Sequence, residues 1–170
     1  MWMAVHDLLR PKWTERIHEE WMRNVLLNHS DLSKKDVERI RQLMDAHAGD
    51  CLVGEYEHRM EGITLPDSND VHVLAAAIEA EAEAIVTWNV TDFPSKIVGK
   101  YGIEVLTPDQ FVAGLLVSQP VGVTLAVREH RLSLKNPSKT EEEYLATLGR
   151  QGLSSSLLIL KDYISHSTEP

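Results

Sequence analysis

The sequence predicts an α/β fold: a parallel sheet in a three-layer arrangement, with helices on its faces and a small helical extension at the C-terminus. Two observations predict it. Short apolar runs, Ala84–Trp88 and Ile103–Leu106, alternate with longer helical patterns, the order that produces a parallel sheet. The second is a change of character near Ser118–Gln119–Pro120. Residues 1–117 carry 20 acidic and 11 basic groups, whereas residues 118–170 carry six of each. The expected domains are therefore 1–117 and 118–170.

The elements follow from local signals. Residues 2–9 look like the end of a helix. Thr14 caps a helix running to about Asn28, with Ile17, Trp21 and Val25 on one face. Ser33 caps another, with Val37, Ile40 and Met44 as its apolar stripe and Gly49 as its stop. Residues 51–53 are a short strand candidate. Asp67–Ser68–Asn69–Asp70 open an alanine-rich helix predicted to reach about Glu83. Thr107 and Pro108 start the helix that follows the second strand. Beyond it, residues 121–132 form a helix, Thr140 and Glu143 have capping-box spacing, and Ser154 caps a last helix.

Composition excludes several classes. With 43% hydrophobic and 25% charged residues in 170, the chain can bury a core. A single cysteine, Cys51, forbids an internal disulfide and reads as an inert buried thiol. The net charge of −9 argues against a surface that grips nucleic acid by charge alone. No apolar run approaches the roughly 20 residues of a membrane span, and a cytoplasmic location is expected. Eight histidines are scattered from His6 to His166. His18–Glu19–Glu20–Trp21–Met22 begins like a zinc-protease motif, but Met22 stands where the second histidine is required.

Two segments carry chemistry. In Leu65–Pro66–Asp67–Ser68–Asn69–Asp70 two carboxylates stand at a helix start, where either could equally serve as a cap. In Thr87–Trp88–Asn89–Val90–Thr91–Asp92–Phe93 a buried strand ends in Asn and Asp at its carboxyl end. Ligands bind there in open parallel sheets, though an Asx turn has the same pattern. Trp88 reads as core, with base stacking as its other use.

Taken together, "LPDSNDVHVLAAAIEAEAEAIVTWNVTDFP" resembles the second half of a PIN domain of the VapC-type toxin ribonucleases. The upstream "PKWTERIHEEWMRNVL" and the tail "NPSKTEEEYLATLGRQGL" resemble one subgroup with a C-terminal extension. The resemblance implies a metal-dependent endoribonuclease, the toxin of a toxin–antitoxin pair. Glu20, Asp70 and Asp92 would be catalytic carboxylates. With Asn89 they would hold Mg²⁺ or Mn²⁺, supported by Asp67 and Thr87. It also implies an RNA substrate, met in part by Arg16 and Arg23, a cognate antitoxin and a homodimer. Arg16 and Arg23 stand at i−4 and i+3 from Glu20 on its helix.

One departure from the family pattern is expected. The first, central strand and its catalytic Asp are missing upstream of Trp13, and Asp7 is a poor substitute, so the sequence reads as N-terminally truncated. This motivates an alternative: a non-catalytic PIN relic that acts only as a protein- or RNA-binding module. A third reading is a small α/β binding domain unrelated to nucleases.

Overall fold

The computed structural model describes residues 1–167 of the chain, with side chains to Ile164; the His166 side chain lies outside the described part. In chain order the elements are α1 (Trp2–Val5), α2 (Glu15–Asn28), α3 (Lys34–His47), α4 (Val71–Glu79), β1 (Ala84–Val86), α5 (Ser95–Val98), β2 (Glu104–Leu106), α6 (Pro108–Ser118), α7 (Pro120–Ser133), α8 (Glu141–Arg150) and α9 (Ser154–Ser167). Single 3₁₀ turns punctuate them, among them Ser68–Asp70 and Val90–Asp92. The class is α/β, as predicted, but mostly helical, and the sheet is small. β1 and β2 pair in parallel, with amides donating from Glu104 to Glu83 and from Thr87 to Leu106. No helix among the described residues is long and apolar enough to cross a membrane.

Several expectations shrink. The strand candidate at 51–53 reduces to one parallel bridge between Trp13 and Leu52. The helix opened at Asp67 stops at Glu79 rather than near Glu83, because Glu81 turns the chain with a positive φ of 50°. The N-terminal helix covers only Trp2–Val5. Ile40, assigned to the apolar stripe of α3, is 41% exposed, whereas Val37 is fully buried.

By compactness the chain divides into two units. The first holds residues 10–85 and 89–105 (with Met1), the second residues 2–9, 86–88 and 106–170. The composition break at 118–120 falls between two helices of the second unit.

In the first unit, Leu65, Val71, Leu74, Ala77, Ile85, Phe93, Val98 and Ile103 form one apolar cluster. α2 begins as predicted, with the Thr14 hydroxyl accepting from the Ile17 amide. A buried polar knot joins α2 to α3. Trp13 Nε1 and His18 Nε2 both donate to Asp45 Oδ1, at 2.9 and 3.0 Å, and Trp21 Nε1 donates to His18 Nδ1 at 2.8 Å. Burial alone would raise the Asp45 carboxyl. The donations from Trp13 and His18 and the charge of Arg41 outweigh it and hold the carboxyl below its ordinary range. His18 is thus a satisfied core histidine. Cys51 is buried, as expected, and burial beside Asp45 pushes its thiol up.

In the second unit, Leu116, Val123, Tyr144, Leu145 and Leu160 form the core. Capping boxes fix the starts of α6 (Thr107 with Gln110) and α8 (Thr140 with Glu143). Ser154 does not cap the last helix but begins it. Asp109 of α6 does the capping instead. Its carboxylate accepts from the amides of Ser155 (2.9 Å) and Ser156 (2.8 Å) and from the Ser156 hydroxyl (2.7 Å). Burial works against this carboxylate, but these donations win and draw its pKa down to about 2.

The sign of this linkage gives a test. A carboxyl depressed by folding contributes stability above its unfolded pKa of about 3.9, and loses it as pH falls toward the folded value. Asp109→Asn, which keeps one acceptor oxygen but loses the other and the charge, should therefore lower unfolding stability at neutral pH by about 1 kcal/mol. The difference from the parent in urea unfolding should shrink as pH falls from about 4 toward 2. An unchanged gap across that range would rule out the linkage.

Candidate metal and nucleic-acid site

The two acidic segments belong to loops that the apolar cluster of the first unit clamps at their ends. Leu65 and Val71 flank Asp67–Asp70, and Ile85 and Phe93 flank Asn89–Asp92. The loops cannot drift apart without exposing that cluster.

Within the first loop the two aspartates have different jobs. Asp67 is a cap: its Oδ1 accepts from the Asn69 amide at 2.8 Å. Asp70 stands at the start of α4 but makes no side-chain capping bond. Its carboxyl is raised, first by burial and then by the charges of Asp67, Asp92 and Glu20. Asp67, Asp92 and Glu20 therefore each lie within electrostatic reach of Asp70. Glu20, not its exposed neighbour Glu19, is the glutamate that α2 turns toward this group.

Glu20 is also held in place. Its Oε1 accepts from Arg16 Nε at 3.2 Å, and its Oε2 lies 3.2 Å from His72 Nε2. The other end of the Arg16 guanidinium donates to the Asn69 carbonyl at 3.3 Å, tying α2 to the acidic loop. The His72 side chain is 1% exposed. Burial holds its imidazole below the ordinary value, against the pull of Glu20, and its Nδ1 has no hydrogen-bond partner among the described residues. His72 is the residue that backs Glu20. The available signal was its place on the buried side of α4, beside Ala75 and Ala76.

In the second loop the Asn89 amide donates to Asp92 Oδ2, and the Asp92 amide donates to the Asn89 carbonyl. Asn89 thus orients Asp92. Arg23 is exposed and lines a groove between α2 and α3 with Met22, Leu26 and Lys35. Thr87 belongs to the second unit, where its amide donates to Leu106. Trp88 departs from the core reading: it is 56% exposed.

The donor set suits a hard divalent cation in kind. It offers carboxylate oxygens and an amide, and the Asp70 carboxyl is raised by its burial and then by the neighbouring carboxylates. Among the described residues no three such groups yet converge on one point, and Glu20 is turned to Arg16 and His72.

Comparison with known proteins adds independent findings. A family profile described as "PIN domain" matches residues 2–91, and one described as "VapC50 C-terminal domain" matches residues 108–157. A curated protein of Mycobacterium tuberculosis (strain ATCC 25618 / H37Rv), named "Putative ribonuclease VapC50", is 49% identical over 43 residues, 25% of this chain and 25% of that protein. The match thus spans about a quarter of the length of that relative. No solved structure matches the chain.

A raised folded pKa makes Asp70 destabilising once it is ionised. Its penalty grows as pH rises from about 3.9 through the folded value, then stays constant. Metal-free Asp70→Asn should therefore melt higher than the parent at about pH 7, and the gap should close by about pH 3. Thermal melts in EDTA decide it; a variant that melts lower at neutral pH would contradict the repulsion.

Proposed function

This chain belongs to the PIN-domain family, and we propose that it is a divalent-cation-dependent endoribonuclease, the toxin of a toxin–antitoxin pair, working in the cytoplasm on single-stranded RNA. The observation that carries the reading is the raised carboxyl of Asp70 among Asp67, Asp92 and Glu20. The match of residues 108–157 to a VapC50 C-terminal domain supports the same subgroup.

Asp70, Asp92 and Glu20 would hold Mg²⁺ or Mn²⁺, with Asn89 as a further ligand or as the group that orients Asp92, and Asp67 in support. Bound there, the cation would acidify a water and neutralise charge on the scissile phosphate. The protein groups around it have separable tasks. The Asn89 side-chain amide donates to the Asp92 carboxylate and orients it. His72 fixes the orientation of Glu20 from its buried side. Arg16 screens Glu20 and secures the Asp67–Asp70 loop. Freed from Glu20, Arg16 would face the RNA backbone, and Arg23 lies two turns further along α2. A cognate antitoxin and a homodimer complete the proposal.

A second reading, a non-catalytic PIN module that binds RNA or protein, is favoured by one observation. Glu20 is already ion-paired to Arg16 and in contact with His72.

Cleavage of a labelled single-stranded RNA with Mn²⁺ separates the two. The parent should cleave, and Asp70→Asn should lose about 100-fold or more of the rate, in line with second-sphere and ligand losses at metal sites. Mn²⁺ at about 100 times its dissociation constant should also stabilise the parent by about 2.7 kcal/mol. An inert parent with no Mn²⁺-dependent rise in Tm would leave the binding-module reading standing.

A further inference from the structure

β1 and the residues after it follow strand parity. Ile85 is 7% exposed, whereas Val86 and Trp88 on the opposite face are 42% and 56% exposed. An indole is among the largest apolar surfaces a side chain can show to water, and one left half in solvent calls for a physical account. Trp88 is not loose. Gly152, in the turn between α8 and α9, has a φ of 91°, and a Cβ built there would lie 2.9 Å from Trp88 Cη2 and 3.4 Å from Cζ2. The benzo edge of the indole thus rests on bare backbone. A Cβ at residue 152 would strain its left-handed backbone and push the indole aside. Gly152 falls within the stretch that matches the VapC50 C-terminal domain. At its other end, Trp88 is one peptide bond from Asn89, the residue that orients Asp92.

The geometry points to Trp88 as a stacking platform for a nucleobase of single-stranded RNA, braced by Gly152 of the C-terminal extension. The inference rests on the ribonuclease reading and specifies where its substrate gains affinity. A chain of net charge −9 gains little from phosphate contacts. Stacking needs no charge, and every base offers a π face, so a braced, exposed indole supplies binding that the acidic surface does not. Gly152 is then a positioning residue: it touches no substrate and acts through the angle and height of the indole. This also gives residues of the extension a task in binding rather than in packing alone.

The test is binding of a fluorescein-labelled single-stranded RNA without divalent cation, read by anisotropy and by tryptophan emission, beside the Mn²⁺ cleavage assay. The proteins are the parent, Trp88→Ala, Trp88→Phe and Gly152→Ala, each checked for folding by circular dichroism. RNA should quench the parent's emission. Trp88→Ala should lose most of that quenching and bind about 5- to 150-fold more weakly, the range of one lost base–aromatic stack. Trp88→Phe should recover most of the affinity. Gly152→Ala should keep its emission but respond less to RNA, an effect a purely structural glycine would not have. An oligomer of equal charge carrying abasic sites should quench little. Equal binding and equal quenching by the parent and Trp88→Ala, with cleavage intact, overturns the platform and leaves the ribonuclease standing. Emission that follows protein concentration rather than RNA also overturns it and makes the face a contact between copies. A parent that neither binds nor cleaves RNA removes both readings.

Discussion

Carboxylates repel one another, and the candidate site exists because an apolar cluster does not let them separate. Leu65, Val71, Ile85 and Phe93 bracket the two acidic loops, and Leu74, Val98 and Ile103 complete the cluster. Magnitudes show why this works. A fully buried apolar side chain of this size contributes about 1.5–3 kcal/mol. Two partly solvated carboxylates a few ångströms apart repel by about 1 kcal/mol in water and about 4 near a protein surface. Several buried side chains together outweigh the repulsion, so the excess charge stays as a raised Asp70 carboxyl rather than as an open loop.

The same logic of a buried group held by its partners governs the helices behind the site. Asp45 accepts from Trp13 and His18 at once, and His18 accepts from Trp21. Removing Asp45 leaves the buried His18 ring and the Trp13 indole without their shared acceptor, so the knot sets the position of α2 with little freedom. Glu20 lies two residues beyond His18 on that helix. Its reach toward Asp70 is therefore inherited from a network that has no part in the chemistry.

Much of this was legible in the sequence, because local rules decided it. The caps at Thr14, Ser33, Thr107 and Thr140 all appear as read, since a hydroxyl and its helix start are neighbours in the chain. Asp67, Asp70, Asn89 and Asp92 could be picked out for the same reason: each pair sits within a single turn. What failed depended on distant partners. The cap of α9 comes from Asp109, not from Ser154. His72 serves Glu20, 52 positions away, through the distance between α2 and α4. Trp88 reads as core on its size, yet counting from buried Ile85 past the end of β1 places it on the outer face. Ile40 erred in the opposite sense, as a helical stripe wider than the neighbour that covers it.

The Asp109 cap has a consequence for the order in which the second unit forms. Four helices, α2, α3, α6 and α8, carry their start signal within four residues. α9 cannot satisfy its first amides until a residue 46 positions earlier has been delivered by α6. Its nucleation therefore waits on closing that loop, an entropic step that precedes any gain from the new contacts. A chain emerging from synthesis would complete α6 early and hold its final helix unregistered until the intervening segment had folded back. The last helix is in this sense assembled onto the unit rather than grown from it.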